Sequence, residues 1–147
     1  MVRFKNRYLL CEIIFEDGNI SESLNSYHLL NAIKESLEVN FGSFGMGMIA
    51  TSLQVKYYSP FTNLAIIRVN RDYVRLLWAC ITFTTAIRRR TCLIHVVHLS
   101  GTIKLVQKQA IKRNKIAISS LKSKHIVDDA KANSLMQGTL TELNALT

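Results

Sequence analysis

Lys56-Tyr57-Tyr58-Ser59-Pro60-Phe61-Thr62-Asn63-Leu64-Ala65-Ile66-Ile67-Arg68-Val69 is the stretch that decides the fold. Its middle, Ser59 to Asn63, is turn chemistry: proline fixes one corner, and Asn and Ser side chains satisfy a tight backbone reversal. Residues 52–58 before it read as a strand with Leu53, Val55 and Tyr57 on one face. Residues 64–69 after it read as a second strand, close enough to form a hairpin with the first.

Working towards the N-terminus, residues 2–15 alternate and then run apolar, the pattern of a strand, and Asp17-Gly18-Asn19 ends it as a turn. Between that strand and the hairpin, Leu29, Leu30, Ile33 and Leu37 stand at helical spacing, with Ser and Asn residues available as caps before them. Asn40 and Gly42 are read as the end of the helix, and Gly42 to Gly47 as a flexible loop. No Lys-Ser or Lys-Thr pair follows that loop, so it is not a phosphate-binding P-loop. Towards the C-terminus, Asp72 opens a helix through Val74, Leu77, Trp78 and Ile81. Residues 91–99 are a strand, Ser100-Gly101-Thr102 breaks it, and a further helix runs from Ile103 to about Ile118. The expected architecture is α+β, a ferredoxin-like or RRM-like β-α-β-β-α-β sandwich with a four-stranded antiparallel sheet and an extra C-terminal helix. Residues 1–118 would form this domain. Residues 119–147 would form a C-terminal segment, partly helical or mobile.

Charge is polarised along the chain, whose formal net is +9. Residues 11–60 carry six acids against Lys34 and Lys56, a net of −4, whereas residues 61–117 carry eleven basic residues against Asp72 alone, a net of +10. Such an excess favours a polyanionic partner without choosing which. Cys11, Cys80 and Cys92 are far apart and odd in number, which argues against a disulfide framework and fits a reducing compartment. No apolar run reaches membrane-spanning length, so no transmembrane helix is expected; no membrane is counted among the expected partners.

Several groups of residues are candidates for contact. Arg3, Lys5 and Arg7 would share one face of the first strand, as a row of phosphate ligands or a solvated strand end. Lys104, Lys108, Lys112 and Lys115 fall within an arc of about 80° on the last helix, and Arg113 of the same helix is a further candidate. Ile103, Val106, Ala110 and Ala117 form a separate stripe that suits the sheet. Acids are absent from residues 73–127. Because like charges four residues apart destabilise a helix, an external anion is the economical explanation of the lysine stripe. Gly101 and Thr102 sit where that helix begins, where free backbone N–H groups and the dipole favour an anion. A plain N-cap would look the same. Arg88, Arg89 and Arg90 would occupy an exposed loop after the second helix, as a contact for a nucleic acid, an aid to nuclear import, or a loop without a partner. The helix after Asp72 is apolar nearly all round, and Leu76, Trp78, Cys80 and Phe83 are read as a protein interface. Cover by the C-terminal segment would give the same pattern.

Catalytic and metal constellations are missing from the sequence. His95 and His98 are three apart in a strand and point to opposite faces. No zincin motif, nucleophile elbow or cysteine cluster occurs. The third strand lacks the aromatics with which a conventional RRM stacks bases.

Three segments carry a family resemblance. Val2-Arg3-Phe4-Lys5-Asn6-Arg7-Tyr8-Leu9-Leu10-Cys11-Glu12-Ile13 resembles the opening of the Pop-five family, the small RRM-like subunit of ribonuclease P and ribonuclease MRP. The hairpin at 56–69, followed by Arg71-Asp72-Tyr73-Val74, resembles its middle. Ser100-Gly101-Thr102-Ile103-Lys104, continuing to Gln107 and Lys112-Arg113-Asn114, resembles its last helix. Residues 119–147 carry little of the likeness, and the acidic tail of several members is lacking. The resemblance implies a non-catalytic subunit, because in this family the RNA is the catalyst and uses magnesium, with no cofactor bound by the protein itself. It also implies as partners the ribonuclease P/MRP RNA, a TIM-barrel-like subunit and a related small RRM-like subunit. For a eukaryotic source it implies the nucleus and nucleolus. An RRM-like scaffolding module of another ribonucleoprotein and a ferredoxin-like small-ligand domain are the alternatives.

Overall fold

A computed structural model describes residues 3–20 and 22–146. Strand β1 spans Asn6–Phe15, helix α1 Ser26–Ile49, β2 Gln54–Ser59 and β3 Leu64–Asn70. A single 3-10 turn over Arg71–Tyr73 leads into α2, Val74–Phe83. Then come β4, Ala86–Ile87, and β5, Arg90–Ser100, followed by α3, Ile103–Ser123, and α4, Asp129–Asn144. The strands form one antiparallel sheet in the order β2-β3-β1-β5-β4. The protein is therefore α+β with an antiparallel sheet, but the expected count of four strands is corrected to five. The added strand is the two-residue β4, too short to show a periodic pattern in the sequence.

Both faces of the sheet are covered. On one, Leu9, Cys11, Ile13, Ala65 and Ile67 pack with Leu29, Ile33 and Leu37 of α1 and with Leu77, Cys80 and Ile81 of α2. On the other, Leu10, Leu64 and Ile66 pack with Val106 and Ala110 of α3 and Leu143 of α4. Strict alternation along β1 and β3 delivers the two sets. Burial on both sides explains why Leu64 to Ile67 are apolar without a break. Helix α4 lies in the stretch from residue 119 that was expected to be partly helical or mobile. Leu143 is fully buried, and Gln107 Nε2 donates to the Leu143 carbonyl at 2.6 Å. Residue 118 is no boundary, since α3 continues five residues past it.

The Gly42–Gly47 loop is corrected, because the chain is helical again directly after Gly42. Gly42 itself, at φ 70° and ψ −174°, does interrupt the first helical run, as expected, so that α1 is two runs joined at a kink. Beyond the kink the chain resumes helical geometry and drives Ile49 into the first core. Gly45 makes the second run possible, because a Cβ there would lie 2.6 Å from Phe41 Cβ. The other end of α1 behaves as expected: the Asn25 side chain accepts from the His28 amide, and His28 Nδ1 accepts from the Asn25 amide.

All three cysteines are free and buried. Burial pushes the Cys11 thiol up to about 12 and raises Cys80 and Cys92 above the ordinary thiol range. The thiolate is the reactive form, and burial denies it solvent as well. A disulfide-type thiol reagent at pH 8 is therefore expected to label the native chain slowly and to titrate three thiols after denaturation. Fast labelling of even one native cysteine would contradict this packing.

Candidate nucleic-acid interface

Helix α3 serves two surfaces at once. Val106, Gln107, Ala110, Asn114 and Ile118 are buried, at the spacing of one helical face. Lys104, Lys108, Lys112, Arg113 and Lys115 are all exposed. None of these five cations forms an ion pair with a described acid, and the nearest such pair on α3 is Lys122 with Asp129, at 2.9 Å. Ile103, Val106 and Ala110 join the second core as the apolar stripe predicts.

Sequence reasoning missed what Gln107 and Asn114 do. Gln107 ties α3 to α4. Asn114 Nδ2 donates to the Tyr57 hydroxyl at 3.1 Å, tying α3 to β2. The available signal was that two amides stand on the apolar stripe, where a polar group needs a partner.

At the start of α3, Thr102 is the N-cap residue, but its side chain makes no capping hydrogen bond. Ser100 Oγ occupies the turn instead, accepting from the Thr102 amide and donating to its carbonyl. The first-turn amides of α3 are thus not consumed by a side-chain cap. Arg7 stands beside them: a Cβ on Gly101 would lie 3.4 Å from an Arg7 guanidinium nitrogen. Glycine here allows a cation to approach the positive end of a helix dipole, an arrangement that suits an anion between them.

The row expected on the first strand is corrected. Only Arg7 lies in β1. Arg3 and Lys5 are exposed and precede it, and Val2 falls outside the described residues. The Lys5 carbonyl accepts from the Arg71 amide, which carries the chain past the sheet as an irregular segment.

The arginine triplet is divided in the same way. Arg90 belongs to β5 and is bound internally. It donates to both Asp17 carboxylate oxygens, at 2.7 and 3.3 Å, and to the Asn19 carbonyl at 2.8 Å, and it covers the Phe15 ring at 4.0 Å. The Arg90 bonds hold the Asp17 carboxyl below the usual carboxylate range. Arg88 and Arg89 form the exposed two-residue turn between β4 and β5, with φ of 49° and 64°. Such hairpins favour Asn and Gly because positive φ disfavours other side chains. Two arginines held there against that preference are more than a connector needs. They lie at the opposite end of β5 from Gly101, about 35 Å away for eleven residues of strand, so they stand apart from the cations of α3.

Helix α2 also splits its candidates. Cys80 is fully buried, and its Sγ lies 3.3 Å from the Ile33 carbonyl. It is a core residue and leaves the interface set. Leu76 is half-buried against the first core, whereas Trp78 and Phe83 are 40% and 54% exposed. The C-terminal segment packs on the far side of the sheet, so it does not cover them.

The family model described as Rpp14/Pop5 family matches residues 7–111, most of the chain and nearly the whole run from β1 to Ile111. The chain belongs to the Rpp14/Pop5 family. Among its relatives, Ribonuclease P/MRP protein subunit POP5 of Schizosaccharomyces pombe is 38% identical over 130 residues, covering 82% of this chain and 94% of the relative. The protein of the same name from Saccharomyces cerevisiae is 34% identical, covering 88% of each, and the one from Homo sapiens is 30% identical, covering 78% of this chain and 70% of the relative. The fold is similar to that of a chain in the cryo-EM structure of yeast Ribonuclease MRP, with a TM-score of 0.58 at 13% identity over 82% of this chain and 98% of the other. Within the Rpp14/Pop5 family, then, this member has a sheet covered on both faces, by α1 and α2 on one and by α3 and α4 on the other.

Proposed function

We propose that the chain is a non-catalytic protein subunit of ribonuclease P and ribonuclease MRP. There it binds and stabilises the catalytic domain of the RNA component, supporting 5′ maturation of precursor tRNA and processing of precursor rRNA. The observation that carries this reading is membership of a family whose fungal, plant and animal relatives are named as ribonuclease P/MRP subunits. The exposed cations of α3 supply the physical means. Phosphates ask for charge and donors, not stacking platforms, and a charged outer helix face on a closed sheet offers the former without the latter. The contact set in this reading is Lys104, Lys108, Lys112, Arg113 and Lys115, with Arg7, Gly101 and Thr102 at the helix start and Arg88 and Arg89 at the distant turn. Trp78 and Phe83, with Leu76 beneath them, would be covered by a protein partner, a TIM-barrel-like subunit or a related small RRM-like one. Magnesium belongs to the RNA catalyst, and the chain acts in the nucleus and nucleolus.

Purification of the tagged chain from its native source is expected to recover the ribonuclease P and MRP RNAs together with a TIM-barrel-like protein. The chain freed of RNA is expected to leave precursor tRNA uncut in magnesium. Cleavage by the RNA-free chain, or recovery without either RNA, would overturn the reading.

A further inference from the structure

The end of the sheet that α3 leaves open forms a cleft of about 310 Å³. That is the low end of the roughly 300–1,000 Å³ typical of small-ligand sites, suited to one planar ring rather than to an extended cofactor. Glu12 of β1, with Thr62 and Leu64 from the hairpin, lines one side. Lys112, Arg113 and Ile116 of α3 line the other. Leu64 is buried, and Ile116 is 63% exposed without a partner. Glu12 is half-buried and forms no ion pair with a described cation, including the two that share its cleft. A carboxylate partly withdrawn from water favours N–H donors in return. Thr62 is buried, and its hydroxyl has no hydrogen-bond partner among the described residues.

We infer that this cleft binds a single unstacked guanine nucleotide, its base packed on Ile116, its Watson–Crick edge on Glu12 and its phosphate on Lys112 and Arg113. The inference rests on the RNA-binding reading above and deepens it by adding one base-specific contact. Guanine is selected by the carboxylate. Its N1–H and N2–H donors lie side by side and meet both oxygens of one carboxylate. Adenine and cytosine place a ring-nitrogen acceptor beside their amino donor, and uracil flanks its single N–H with two carbonyls, so each of these sets an acceptor against the carboxylate. An arginine from a protein partner has a comparable pair of donors, but it would bring a third positive charge against Lys112 and Arg113. Guanine is neutral, and its phosphate complements those two cations. The missing aromatic platform is no obstacle, because apolar side chains also sandwich an unstacked base.

Titration of the full chain with guanosine 5′-monophosphate, and in parallel with the adenosine, cytidine and uridine monophosphates and with free arginine, tests the inference by NMR chemical shift. Guanosine monophosphate is expected to bind roughly 10- to 100-fold more tightly than the other nucleotides, the discrimination of one good bidentate contact. Glu12→Gln, nearly isosteric, is expected to abolish that preference while residual binding persists through Lys112 and Arg113. Glu12→Ala, checked for folding by its denaturation midpoint, is expected to do the same. Equal binding of all four nucleotides, a guanine preference that survives both substitutions, or tighter binding of arginine would overturn the inference. If that happens while the RNA component still binds with steep salt dependence, the cleft alone is rejected. Loss of RNA binding altogether would reject the subunit reading instead.

Discussion

Leu143→Ala is expected to destabilise the chain by about 2–5 kcal/mol, the range for truncating a buried leucine. Leu143 lies near the C-terminus, where substitutions are usually tolerated. Here it closes the second core against Leu10, Tyr57 and Ile66. Its carbonyl also receives the buried Gln107 amide, so a shift of α4 would leave that group unpaired as well. The measurement is urea unfolding, with the midpoint falling and the slope unchanged. Asn133→Ala on the exposed side of the same helix serves as the control and is expected to stay within about 0.5 kcal/mol of the parent. Equal effects at the two positions would mean that α4 does not dock on the sheet.

Changing Lys108 and Lys112 together to Ala is expected to lower affinity for the RNA component on the order of 50-fold near 0.1 M salt. The plot of log affinity against log salt is expected to become shallower by about two units. Both figures follow from about 0.9 of slope for each phosphate neutralised. The loss should be similar across RNA sequences, because phosphates carry no base identity. Neither lysine is buried, and removing both relieves a like-charge pair at i,i+4, so the thermal midpoint is expected to hold or rise slightly. An unchanged slope in a folded double variant would mean that these lysines face only water. Arg7 and the first turn of α3 would then be the next place to look.

The long strands and all but the last helix were readable because their patterns are local. The hairpin around Pro60, the α1 stripe of Leu29, Ile33 and Leu37, and the α3 stripe of Val106 and Ala110 each repeat at the period of the element they form. Misreadings arose where tertiary contact overrides local preference. Gly42 to Gly47 look like a loop until the close approach of Gly45 to Phe41 and the burial of Ile49 show that the helix resumes beyond the kink. Arg90 looks like its two neighbours until Asp17 and Phe15, more than seventy residues earlier in the chain, claim it. The last helix has a weak stripe because only Ala132, Thr139 and Leu143 of it are buried. The unbroken apolar run Leu64–Ile67 did carry the information that both faces of the sheet are covered. A sandwich with two helices on one side would have asked for alternation there. The cleft beside Glu12 was invisible for a simpler reason: its lining comes from three stretches far apart in the chain, at Glu12, at Thr62 and Leu64, and at Lys112 to Ile116.

Helix α3 is both a wall of the second core and the bearer of the free cations, and this couples two equilibria. A polyanion that grips Lys108 and Lys112 can do so only while Val106, Ala110 and Asn114 hold the helix against the sheet. Every increment of binding is therefore also an increment of folding free energy. At ligand concentrations a hundredfold above Kd the added stability is about 2.7 kcal/mol, comparable to what Leu143 contributes by packing. A variant weakened at α4 would then survive inside an assembled particle and fail outside it. Defects in this chain would show themselves as shortages of newly made subunit rather than as faults in complexes already built.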